Sequence, residues 1–175
     1  MKGQDLTPLL SKPVHPDFTK NRGGVLFCYS QLMVHDPAFT KILYTMIEDG
    51  SVVRADQFKK IETFPIDWSL RVSIRSIVDE RYKFSRYFSF KEFNTPKTIE
   101  ELKAKNDLEV YDLQADPQEL NNLAYDFDKN KELIWAMNLK LNALIEREIG
   151  KDDGSFLPLG DWINWDGAHT KMVNV

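Results

Sequence analysis

A single cysteine, Cys28, among 175 residues rules out an internal disulfide. No apolar run reaches the ~18 residues that a membrane-spanning helix needs. Met1-Lys2-Gly3-Gln4-Asp5 opens without the apolar region of a signal peptide, which leaves the compartment open. An excess of one charge is also missing. The 27 acidic and 23 basic residues are interspersed, net −4, and form no Lys/Arg stripe, so nucleic-acid binding has no electrostatic footprint. The histidines, His15, His35 and His169, stand far apart with no carboxylate at metal-ligand spacing, which argues against a zinc site. There is no Gly-rich phosphate loop, and neither Ser30 nor Ser76 has the flanking glycines of a nucleophile elbow. Asp126-Phe127-Asp128-Lys129-Asn130 begins like a calcium loop. However, Lys131 stands where the turn needs glycine and Met137 where the closing glutamate belongs, so a helix cap is the better reading.

What is present suits a packed domain. Hydrophobic residues make up 42% of the chain, and a chain of this size buries roughly 70% of the surface it exposes when unfolded. Thr7-Pro8-Leu9-Leu10 suggests a helical turn, followed by a loop punctuated by Pro13 and Pro16. Residues 25–29 form a short apolar strand, in which Cys28 is expected as an inert, buried thiol. Asp36-Pro37 starts a helix over 38–48 that Gly50 stops, and 51–66 has no period and suggests a loop.

Residues 72–78 are strand-like and 82–89 alternate cleanly, with Tyr82, Phe84 and Phe88 on one face, and Asp79-Glu80-Arg81 joins them as a hairpin without the glycine of a primed two-residue turn. Arg75, Arg81 and Arg86 cluster around this hairpin, where they are expected to form a solvated face rather than an anion site.

Thr98-Ile99-Glu100-Glu101 has the form of a capping box for a helix to Lys105, and 108–113 is a further strand. Asp116-Pro117-Gln118-Glu119 has the same form and is expected to start a second helix. The strongest helix spans 129–149, with Leu133, Met137, Leu141, Leu144, Ile145 and Ile149 on one stripe and Gly150 as its cap. The last 25 residues, rich in Gly, Asp and Trp, suggest an ordered tail. These elements predict an α+β domain, a small antiparallel sheet packed on a long C-terminal helix. The strands are too few and the connections too short for a doubly wound parallel sheet.

One stretch carries a resemblance. Glu109-Val110-Tyr111-Asp112-Leu113 followed by Asp116-Pro117-Gln118-Glu119-Leu120-Asn121-Asn122-Leu123 resembles the strand and Asp-Pro-x-Glu-x-x-Asn-Leu signature of sulfatase C-terminal subdomains. Three weaker segments agree in order. They are Gly3-Gln4-Asp5-Leu6-Thr7-Pro8-Leu9-Leu10, the hairpin Arg75-Ser76 with Arg81-Tyr82-Lys83-Phe84, and Glu148-Ile149-Gly150-Lys151-Asp152-Asp153-Gly154. Glu80 departs from the glycine frequent in the family's hairpin.

The resemblance implies a linker over 1–24 leaving a catalytic core, a subdomain over 25–150 and a tail over 151–175. It also implies that the chemistry lies elsewhere. The family's formylglycine arises from a Cys/Ser-x-Pro-x-Arg segment, and its calcium sits on the same upstream domain. Here Cys28 is followed by Tyr29-Ser30, and Ser11-Lys12-Pro13-Val14-His15 ends in histidine and stands too late in the order. No catalytic residue, metal ligand or cofactor is therefore expected in this chain, and the sulfatase catalytic domain is its expected partner. The expected role is to close one side of that enzyme, with His15, His35, Trp162, Trp165 and His169 as candidate contributors to a substrate pocket. A stand-alone interaction module, or part of a phosphonate or phosphodiester hydrolase of the same superfamily, are the alternatives.

Overall fold

The computed structural model describes residues 23–30, 37–48, 69–89, 92 and 95–152. The Thr7 turn, the Pro13 and Pro16 loop, the loop at 51–66 and the tail beyond 152 lie outside the described residues. Within them the chain is α+β. A four-stranded antiparallel sheet, in the order β1-β2-β3-β4, packs one face against a long C-terminal helix. Its strands are β1 (Val25–Ser30), β2 (Ser73–Val78), β3 (Tyr82–Phe88) and β4 (Asp107–Asp112). The helices are α1 (Pro37–Glu48), α2 (Ile99–Lys105) and α3 (Phe127–Glu148). None of them is both long and apolar enough to cross a membrane.

Side chains on a strand alternate between faces, so the register decides which residues meet. Ile77, Phe84 and Val110 fall opposite one another on β2, β3 and β4, and their row faces α3. From α3 come Ile134, Met137, Leu141, Leu144 and Ile145, and Leu102 of α2 closes the end of this core. Ile134, not Leu133, stands in the centre of the helical stripe, and Ile149 is exposed.

The β2–β3 hairpin turns without glycine because Asp79 performs the turn with its side chain. Its Oδ1 accepts from the amides of Arg81 (2.9 Å) and Tyr82 (2.7 Å) while its own N–H donates to the Tyr82 carbonyl. At α2 the Thr98 hydroxyl accepts from the Glu101 amide at 3.1 Å, as the capping box requires. The return bond is shifted by one residue: Glu101 accepts from the amide of Lys97, not that of Thr98. Asp126 caps α3, its Oδ1 accepting from the Lys129 amide. At the far end Gly150 adopts φ +94 and donates to the Ile145 carbonyl, a left-handed exit that glycine makes without strain.

Two expectations are corrected. Asp116-Pro117-Gln118-Glu119 starts no helix; α3 begins only at Phe127, after one 3₁₀ turn over Leu123–Asp126. Glu119 instead takes φ +56, its carboxylate pairs with Lys83 of β3, and Asp116 Oδ2 accepts from the Asn121 amide at 2.8 Å. Asn122 then fastens the loop to β4. Its Oδ1 accepts from the amides of Val110 (2.9 Å) and Ala124 (3.0 Å), and its Nδ2 donates to the Leu108 carbonyl at 3.1 Å. Tertiary bonds here override a local helix signal. Secondly, β1 is not a buried strand. It lies at a sheet edge, with Val25, Phe27 and Tyr29 half exposed on the outer face and Cys28 half buried on the inner one.

Candidate functional site

The row next to Ile77–Phe84–Val110 on the inner sheet face reads Cys28, Arg75, Arg86, Leu108, each opposite the next across β1 to β4. Two arginines therefore point into the domain side by side. Both are 0% exposed, which corrects the expectation of a solvated hairpin face for this pair. Arg81 alone fits that expectation, lying exposed at the turn and paired with Asp112.

A buried guanidinium has to meet acceptors, because isolating it from water is costly. Arg75 meets them fully. Its Nε and Nη2 donate to the two carboxylate oxygens of Asp152 at 3.0 and 2.9 Å, and its Nη1 donates to the Ile74 carbonyl and more distantly to Ser30 Oγ. The guanidinium also lies over the Phe88 ring, 5.1 Å from its centroid. Asp152, in the segment that the sequence suggests is tail, is thus built into the interior.

Arg86 meets only part of its need. Its Nη1 donates to Asn138 Oδ1 and Asn142 Oδ1, both at 2.6 Å. Those amides stand one turn apart on α3 and are oriented in turn, since each Nδ2 donates to the Pro96 carbonyl, at 3.2 and 2.9 Å. The Nε and Nη2 of Arg86 are buried and meet no hydrogen-bond acceptor among the described residues. Burial pushes Arg86 down to about 10, with Arg75 adding to the fall and Asp152 and Cys28 opposing it. At neutral pH the group stays charged.

Burial also pushes the Cys28 thiol up, against the pull of the two arginines, so it stays protonated and is no thiolate nucleophile. The Asp152 carboxylate is taken up by Arg75, and the remaining polar groups of the row are guanidinium donors and a thiol. Among the described residues no group of three or more His, Cys, Asp or Glu is placed to hold a metal ion.

His15, His35, Trp162, Trp165 and His169 all lie outside the described residues, as does the Ser11 to His15 segment, so the structure brings none of them to this cluster. Asp152, Asn138 and Asn142 were not singled out from the sequence. The signal for them is an asparagine inside an apolar helical stripe, facing arginines at the inward positions of two alternating strands. No family model, no curated protein and no solved structure matches the chain.

Proposed function

We propose that this chain is the C-terminal subdomain of a sulfatase-like sulfuric-ester hydrolase, inactive by itself and built to pack on the enzyme's catalytic domain. The observation that carries the packing role is the outer face of β1. Val25 and Phe27 are each 54% exposed and Tyr29 49%, with the Phe27 and Tyr29 rings stacked 6.4 Å apart. Aromatic side chains left open on a sheet edge suit an interface between domains.

The family resemblance gains support from the way its separate segments touch. Lys83 and Arg81 of the hairpin pair with Glu119 and Asp112 of the Asp-Pro-x-Glu-x-x-Asn-Leu stretch, so the two signatures form one structural unit. None of these residues is a catalyst. They fold the subdomain, and the reacting groups belong to the domain it packs against.

The test is the coding sequence immediately upstream of Met1. An in-frame Cys/Ser-x-Pro-x-Arg segment followed by Asp-rich metal motifs is expected. An in-frame stop with its own promoter would favour a stand-alone interaction module. The chain assayed alone with an aryl sulfate is expected to give no turnover, and genuine turnover would overturn the proposal.

A further inference from the structure

We infer that the open edge of β1 is a pairing surface for a second copy of this chain, which adds its own β1 antiparallel and joins the two sheets into one. This goes beyond the subdomain role and does not depend on it. The contact runs in the plane of the sheet, along the strand's backbone, whereas a catalytic domain would cover the strand's outer face.

The two edges of the sheet are built differently. An edge strand presents a row of unpaired N–H and C=O groups, which proteins guard with charge, proline, a bulge or a covering segment. On β4 the guard is double. Asn122 takes the outward amide of Val110 and the outward carbonyl of Leu108, and Asp107, Glu109 and Asp112 set charge along the strand. None of these devices is found on β1. Val25–Ser30 carries no charged residue and no proline, and it pairs with β2 through six successive residues without a bulge. On its far side it has no neighbouring strand, and its outward backbone groups meet no partner among the described residues.

The composition of β1 selects a copy of itself as the occupant. Two sheets related by a twofold axis normal to their plane keep both apolar cores on one side, and this requires a register centred on a residue. Centred on Phe27, that residue meets its counterpart and Val25 meets Tyr29; centred on Cys28, Phe27 meets Tyr29. Both registers set aromatic against aromatic in the half-exposed outer row, and neither opposes like charges, because the strand has none. The same operation on β4, centred on Leu108, would oppose Asp107 to Glu109.

Because β4 is guarded, the joined sheet ends there on both sides, and the association closes as a dimer instead of growing into a fibre. One six-residue strand per copy falls short of the ~1,200 Å² of total surface that stable interfaces bury, so the dimer is weak and reversible.

The experiment uses the full 175-residue chain, followed by sedimentation velocity from about 1 μM to about 1 mM, the range in which a weak interface fills. A shift from monomer to dimer with rising concentration is expected, and a monomer throughout overturns the inference. Hydrogen exchange read by mass spectrometry then separates the strand's edge from its outer face. Edge pairing gives the outward amides of β1 new acceptors, so exchange in a peptide covering 25–30 should slow several-fold as the dimer fills. A dimer that forms without this protection uses another surface, which also overturns the inference. Phe27→Lys places two positive charges beside the twofold axis in either register and should weaken the dimer by about tenfold or more. Circular dichroism checks that this variant folds, and an undiminished dimer in the folded variant overturns the inference. Should the variant not fold, the exchange measurement on the unaltered chain decides by itself.

Discussion

Replacing Asp152 by alanine removes both carboxylate oxygens that accept from the Nε and Nη2 of Arg75, while the Nη1 bonds to Ile74 and Ser30 stay in place. Both side chains of the pair are 0% exposed, so water does not take the place of the lost carboxylate. Breaking a buried pair by deleting one partner costs about 3–5 kcal/mol. Against a total stability of about 5–15 kcal/mol that is a large fraction. At about 2–4 °C per kcal/mol for a chain of this length, the thermal midpoint should fall by about 6–20 °C. Urea unfolding followed by far-UV circular dichroism supplies the free energy directly. The double variant Arg75→Met/Asp152→Leu removes both charges and should recover most of the loss, because apolar groups of similar volume replace buried ion pairs at little cost. If Asp152→Ala lies within about 1 kcal/mol of the unaltered chain, the pair is not what satisfies Arg75, and the reasoning fails.

Further outcomes follow from the loop and the hairpin turn. Asn122→Ala strips acceptors or donors from the Val110 amide, the Ala124 amide and the Leu108 carbonyl, and should lower stability by about 2–4 kcal/mol in the same urea assay. Asn122→Asp, which keeps the acceptor and loses the donor, should fall between the two. For Asp79, burial pushes the carboxyl up, but Lys140 and the amides of Tyr82 and Arg81 outweigh it and hold it below its ordinary 3.8. The unfolded chain therefore takes up this proton first. The contribution of Asp79 is present above its unfolded value and is lost as pH falls through the lower folded one. The stability gap between the unaltered chain and Asp79→Asn should narrow over that acid window, and a constant gap from about pH 6 to pH 2 would contradict the assignment.

The periodic elements were legible in the sequence. The strand at 72–78, the alternation at 82–89, the Thr98 cap and most of the stripe of α3 reappear in the structure, because each is a local pattern that the core then uses. Asp116 shows where local reading ends. Its spacing to Glu119 satisfies a capping rule, yet Glu119 is drawn to Lys83, 36 residues away, and Asn122 is held by β4. The arginines show a different failure. Alternation places Arg75 with Ile77 and Arg86 with Phe84 and Phe88 on the inward face. The usual preference of arginine for solvent argued the other way, and the buried partner Asp152 lies 77 residues from Arg75 in sequence. For β1, an apolar run is equally consistent with a central or an edge strand, and only the sheet order decides.

The paired arginines also bear on how the sheet finds its alignment. In an all-aliphatic sheet face, sliding one strand by two residues keeps every side chain on its proper side and exchanges one hydrocarbon for another. Here the same slide sets Arg75 against Phe84 or Phe88, and separates the guanidinium groups from the places where Asp152, Asn138 and Asn142 wait for them. A polar row inside an otherwise apolar face thus acts as a key with one matching position. It contributes less to how strongly the strands associate than to which of several nearly equivalent alignments they adopt.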